Sequence, residues 1–136
     1  MTFLVERLAE LRRQLDHLRE IRPRVVGVES LRRDMSLHND VLFSLFTICQ
    51  LVIDIAGELA ARRGDRFEDY TEAIRSLSRD ARFSPSLVLE LEGLPGFRNV
   101  IAHEYVALDL DRVVEALDRL GPIQEFFSIV HGIEAG

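Results

Sequence analysis

Between Val41 and Ala60 the chain is almost wholly apolar, with only Asp54 and Glu58 carrying charge. Val41, Leu45, Ile48, Val52, Ile55 and Leu59 recur at three- and four-residue spacing, which is one stripe of an α-helix. Leu42, Phe43, Phe46, Leu51 and Ile53 fall on other faces of the same helix. A helix apolar nearly all round has to be covered on several sides, so this one is predicted to be the centre of a bundle. Its span is expected from Ser30 or Ser36 to about Arg63, where Gly64-Asp65 stops it. The surplus of apolar surface also implies cover from a second subunit. The tract from Val41 to Ile53 is short for a membrane span, and Ser44, Thr47 and Gln50 interrupt it.

The flanking segments supply that cover. Leu4, Leu8, Leu11, Leu15 and Leu18 follow a 4-3-4-3 spacing, the seam of an amphipathic helix that Pro23 and Gly27 end. Asp69 or Thr71 caps a short helix through about Arg79, and Ser84-Pro85 reads as the cap and first turn of another. Gly93, Pro95 and Gly96 mark a kink just before Arg98. Asp109 caps a last helix with Val113, Leu117, Leu120, Phe127 and Val130 on one side, bent or split at Gly121-Pro122. No alternating strand pattern or repeat appears. The expectation is an all-α, up-and-down bundle of about five helices, forming a single domain over residues 1–136.

Charge and cysteine usage narrow the setting. Cys49 is the only cysteine, which rules out an internal disulfide and suits a reducing cytosol; its apolar neighbours make it an inert, buried thiol. Residues 1–7 hold no basic region followed by an apolar stretch, so the expected location is cytoplasmic. All 17 basic residues are Arg, and the net charge of −6 weighs against tight binding to nucleic acid. It does not weigh against a catalyst, which needs strong contacts only in the transition state. His17, His38 and His131 are dispersed; only Asp34 and His38 stand at an i,i+4 spacing, too few ligands for a metal site. No metal and no cofactor is expected.

The chemistry concentrates in Arg98-Asn99-Val100-Ile101-Ala102-His103-Glu104-Tyr105, an R-x4-H-x-Y pattern led by Gly96-Phe97. Arg is a permanent cation shaped to hold phosphate through two parallel hydrogen bonds. His is the side chain suited to moving protons near neutral pH. Together they fit RNA phosphodiester cleavage, with Arg98 and Asn99 on the phosphate and His103 as acid or base. At 100° per residue, Arg98 and His103 on one helix point about 140° apart. Either the helix ends near Ala102 and His103 swings back, or a second subunit completes the site; both are compatible with the residues. Asp54 is either an ordinary acid meeting an Arg or a group that orients Arg98 or His103. A purely structural assignment also exists, with Arg98 paired to a carboxylate, His103 at a helix end and Tyr105 packed on the bundle.

Gly96-Phe97-Arg98-Asn99 running into Ala102-His103-Glu104-Tyr105, with Leu51-Val52-Ile53-Asp54-Ile55-Ala56 upstream, resembles the HepT toxins of the HEPN superfamily. The resemblance implies a ribonuclease toxin with an MntA-like nucleotidyltransferase antitoxin as partner, while the apolar surplus of the central helix and the single motif His per chain point to a homodimer with its motifs near the two-fold axis. It also implies that Tyr105 is the residue to which the antitoxin attaches AMP. The alternative is a non-catalytic helical module that binds a nucleotidyltransferase and presents substrate or nucleotide to it.

Overall fold

The computed structural model describes residues 2–136, and the side chains of all of these except Thr2 and Tyr105. It contains helices α1 (Thr2–Ile21), α2 (Val28–Arg33), α3 (Met35–Arg62), α4 (Tyr70–Arg75), α5 (Pro85–Leu91), α6 (Leu94–His103), α7 (Leu110–Leu117) and α8 (Gly121–Ala135). Short 3-10 turns follow α1, α4 and α6, and there is no strand among the described residues. The fold is all-α, as the periodicity requires.

α3 is the axis of the bundle. Leu37, Val41, Leu45, Ile48, Leu51, Val52, Ile53, Ile55 and Leu59 are buried on its several faces, under α1, α2, α4 and α6. The helix is long and apolar enough to cross a membrane, yet most of it is buried inside the bundle. α1 lays Leu4, Leu8, Leu11, Leu15 and Leu18 against α3 and α8, all five buried. At about 1.5–3 kcal/mol for each fully buried large aliphatic side chain, that seam alone can hold α1 in place.

Capping sets the boundaries. The start of α3 is neither Ser30 nor Ser36: Asp34 is extended (φ −118°, ψ 98°) and accepts a hydrogen bond from the Leu37 N–H at 3.1 Å. The Ser30 hydroxyl instead accepts from the Val26 N–H at 3.0 Å, inside the separate helix α2. Gly64, at φ +77°, closes α3 in the left-handed region that favours glycine. Asp69 caps α4 by accepting from Glu72 N–H at 2.8 Å, while the Glu72 carboxylate accepts from Glu68 N–H at 2.7 Å. Ser84 caps α5 by accepting from Leu87 N–H at 3.2 Å.

Two expectations change and one is narrowed. The kink expected at Gly93, Pro95 and Gly96 is a break between α5 and α6 at Glu92-Gly93, with Pro95 and Gly96 in the first turn of α6. Gly121-Pro122 splits the last helix outright, with Pro122 in the first turn of α8. That split rotates the apolar face, so Val113, Leu117, Ile123, Phe126 and Val130 are buried while Leu120 and Phe127 are only half-buried. These divisions explain why the number of helices exceeds five.

Candidate functional site

Arg98 projects from the first half of α6 toward the middle of α3, and its surroundings are neutral. Its Nε donates to Gln50 Oε1 at 2.9 Å, and Nη1 donates to Asn99 Oδ1 at 3.0 Å. Gln50 is itself held: its amide Nε2 donates to Asp54 Oδ1 at 2.8 Å, one turn along α3. The guanidinium carbon lies 5.0 Å from the Phe46 ring centre and 5.8 Å from that of Tyr70. Phe46, Gln50 and Asp54 stand at i, i+4, i+8, so one line of α3 builds the cradle.

This arrangement fixes the cation without cancelling it. No carboxylate pairs with Arg98 among the described residues, so the structural assignment that needs such a pair is not what is observed. Asp54 is kept one amide away, where it orients Gln50 and through it Arg98. A guanidinium has five N–H donors, and the two hydrogen bonds to amides leave the rest of the fork for an incoming anion. Asn99 is exposed and keeps its amide nitrogen for donation.

His103 is exposed and closes α6. The Glu104 N–H still donates to Val100 O at 2.9 Å, so the helical ladder persists past His103. His103 therefore keeps its helical heading, about 140° from Arg98. The helix thus ends one residue beyond Ala102, with His103 still on its last turn. The Tyr105 backbone opens the 3-10 turn Tyr105–Ala107. Its side chain, the expected modification site, lies outside the described residues. Glu104 is exposed, as a solvated side chain should be.

A mainly apolar face, edged by His38 and Asn39, lies between α3 and the end of α6. Leu42, Phe43 and Phe46 of α3 and Ile101 and Ala102 of α6 line a shallow cavity of about 340 Å³. Phe43 is 64% exposed there. Another cavity, about 280 Å³, opens where α3, α6, α7 and the start of α8 meet, between Cys49, Phe97 and Arg112; neither Arg98 nor His103 lines it. Cys49 forms part of its floor with burial pushing the thiol up to about 12, an effect that Arg98 partly opposes. Asp34 is committed to its cap and to Arg24 at 3.4 Å, and His38 contacts Asn39 at 3.3 Å. His17 meets Asp40 at 2.8 Å and His131 stacks on Phe127.

Sequence reasoning missed Gln50, Phe46 and Tyr70. The signal for Gln50 was present in its i,i+4 spacing to Asp54 inside an apolar helix; for Tyr70, 28 positions before Arg98, the sequence offers none.

The chain resembles proteins of known kind over most of its length. It is 22% identical over 130 residues to the mRNA nuclease HepT of Shewanella oneidensis, covering 93% of this chain and 95% of that protein. A candidate RNase of Archaeoglobus fulgidus is 35% identical over 85 residues, which is 62% of this chain and 64% of the relative. Among solved structures, the tri-AMPylated Shewanella oneidensis HEPN toxin in complex with MNT antitoxin has the same fold, with a TM-score of 0.84 at 19% identity over 97% of this chain and 98% of that one. A toxin–antitoxin structure with AMP-PNP gives a TM-score of 0.82 at 19% identity, over 96% and 98% of the two chains. Residues 11–130 match the model of the family described as Ribonuclease HepT-like, and the chain belongs to that family.

Proposed function

We propose that this chain is the toxin of a toxin–antitoxin pair, an endoribonuclease that cleaves RNA in the cytosol without a metal. The observation that carries the reading is the Arg98 guanidinium, held rigidly by Gln50, Asn99 and two aromatic rings, and balanced by no carboxylate among the described residues. A preorganised cation of this kind stabilises charge that builds on the non-bridging phosphoryl oxygens in the transition state. Asn99 adds a neutral donor beside it. In the cleavage step the ribose 2′-oxygen attacks phosphorus and the bond to the 5′-oxygen breaks. His103 takes the 2′-OH proton or supplies one to the departing 5′-oxygen.

Because Arg98 and His103 diverge on α6, the site is completed by a homodimer. The apolar shelf around Phe43, Phe46 and Ile101 runs to Ala102, next to His103 in the chain, and supports a two-fold contact there, with the second subunit bringing its own His103 to the cleft. A nucleotidyltransferase antitoxin silences the enzyme by attaching AMP to Tyr105, since a bulky anion beside Arg98 would fill the phosphate site and repel RNA.

The test is expression of the chain alone in a bacterial host, followed by purification and incubation with RNA in the presence of a chelator. Growth arrest and chelator-resistant RNA cleavage, both lost in His103→Ala, are the expected results. Harmless expression would instead favour a non-catalytic module that serves a nucleotidyltransferase.

A further inference from the structure

Arg98 lies between two aromatic rings that the bundle treats very differently. Phe46 is half-buried and packed against the hydrophobic core. Tyr70 is 41% exposed and contributes nothing to that core; α4 buries Ala73 and Ile74 instead. An aromatic ring left open at the first position of a short helix gains little stability from where it sits. Yet its position is well fixed. Phe67 packs over Gly57 of α3, where an added Cβ would stand 3.1 Å from the ring. Asp65 binds Arg63 and Arg79, and Asp69 caps α4 immediately before Tyr70. The loop that follows α3 is thus clamped at both ends, and it holds Tyr70 beside the guanidinium.

We propose that Tyr70 is a nucleobase-stacking subsite, and that a base next to the phosphate bound at Arg98 lies on its open face. The inference rests on the ribonuclease reading above. In a single-stranded nucleic acid only one sugar separates a base from its phosphate, so a phosphate on Arg98 brings a base within reach of Tyr70. Sequence-tolerant recognition of single strands works this way, through a cation on the backbone and an aromatic platform for the base. It also answers the objection from net charge. With a charge of −6 the chain gains little from long-range attraction to RNA, and a stacking surface supplies short-range affinity that does not depend on it.

The test uses an uncleavable, 2′-O-methylated oligoribonucleotide, intact or with one abasic position moved along it. Binding is measured for wild type, Tyr70→Ala and Tyr70→Phe. At one abasic position wild type should lose roughly tenfold in affinity, the order of a single aromatic–base stack, whereas Tyr70→Ala should lose nothing further there. Tyr70→Phe should behave as wild type. Equal abasic losses in wild type and Tyr70→Ala would overturn the subsite. So would a Tyr70→Phe variant as weak as Tyr70→Ala, because the hydroxyl would then be the contact. Wild type that cleaves RNA but shows no coupling to Tyr70 refutes this inference alone; wild type that neither binds nor cleaves RNA refutes the ribonuclease reading and the subsite with it.

Discussion

Arg98 is placed by neutral groups, and that choice predicts how its variants behave. Arg98→Ala and His103→Ala should each abolish toxicity while unfolding free energy stays within about 1 kcal/mol of wild type, because neither side chain belongs to the core. Arg98→Lys should fail as well, since an ammonium that donates to Gln50 has no planar fork left to present to phosphate. Gln50→Leu offers a finer probe: the cation stays but its bracing goes, so the cleavage rate should fall with RNA affinity little changed, read as kcat against KM. Cys49 gives a control away from the motif. With its thiol pushed up to about 12, the thiolate is scarce at pH 8, and disulfide reagents should label Cys49 only after denaturation. Rapid labelling of the native protein would show that α3 opens locally. Much of this was legible from residue types, because Arg and His in one motif already imply phosphate chemistry. The Gln50–Asp54 brace was half legible, as two polar residues one turn apart in an apolar helix, but nothing in the sequence says which Arg the pair will meet.

At the level of the element, helix ends proved harder to read than helix centres. The stripes of α1 and α3 were visible as spacing, and burial followed them. The start of α3 was obscured because Ser30, Asp34 and Ser36 are all competent caps, and only the extended backbone at Asp34 selects among them. Asp34→Ala should therefore destabilise the protein by about 1 kcal/mol in urea denaturation, whereas Asp34→Ser should retain most of the stability. An equal loss in Ser36→Ala would contradict the assignment. The break before α6 has a mechanical role. Were α5 and α6 one continuous helix, Arg98 would follow the heading of Leu87 and Leu91, which point into the core. Interruption at Glu92-Gly93 frees α6 to lie on α3 with Arg98 over Phe46.

For the molecule as a whole, two surfaces decide assembly and stability: the apolar shelf around Phe43 and the seam that holds α7. Phe43→Asp should give a monomer by light scattering and, by separating the two halves of the site, an inactive one; an active monomer would mean that one chain suffices. α7 is tied to the end of α1 by Arg22, whose Nε and Nη2 donate to the Asp118 carboxylate at 2.8 and 2.9 Å. That pair of hydrogen bonds holds the Asp118 pKa below the ordinary aspartate value. A depressed carboxylate contributes stability above the ordinary aspartate range, and the contribution disappears as pH falls through its folded value. Amide exchange in α7 should accordingly quicken, relative to α3, as the solution is made more acidic than about pH 4. The overall bundle could be anticipated because helical periodicity is local. The divergence of Arg98 and His103 could be anticipated too, as simple arithmetic, whereas the meeting of α3, α4 and α6 around one guanidinium depends on long-range packing that no spacing rule encodes.

The placement of α3 at the axis also has a consequence for how the chain is made. Its 28 residues emerge from the ribosome while α4 to α8 are still inside the exit tunnel or not yet made, with only α1 and α2 available to shield them. A nascent chain at that stage displays an oily segment of a length and composition that membrane-insertion machinery is built to notice. Synthesis paused near Phe97, with α3 just clear of the exit tunnel, should leave the chain bound to chaperones or lodged at the bilayer, and completion of the chain should release it.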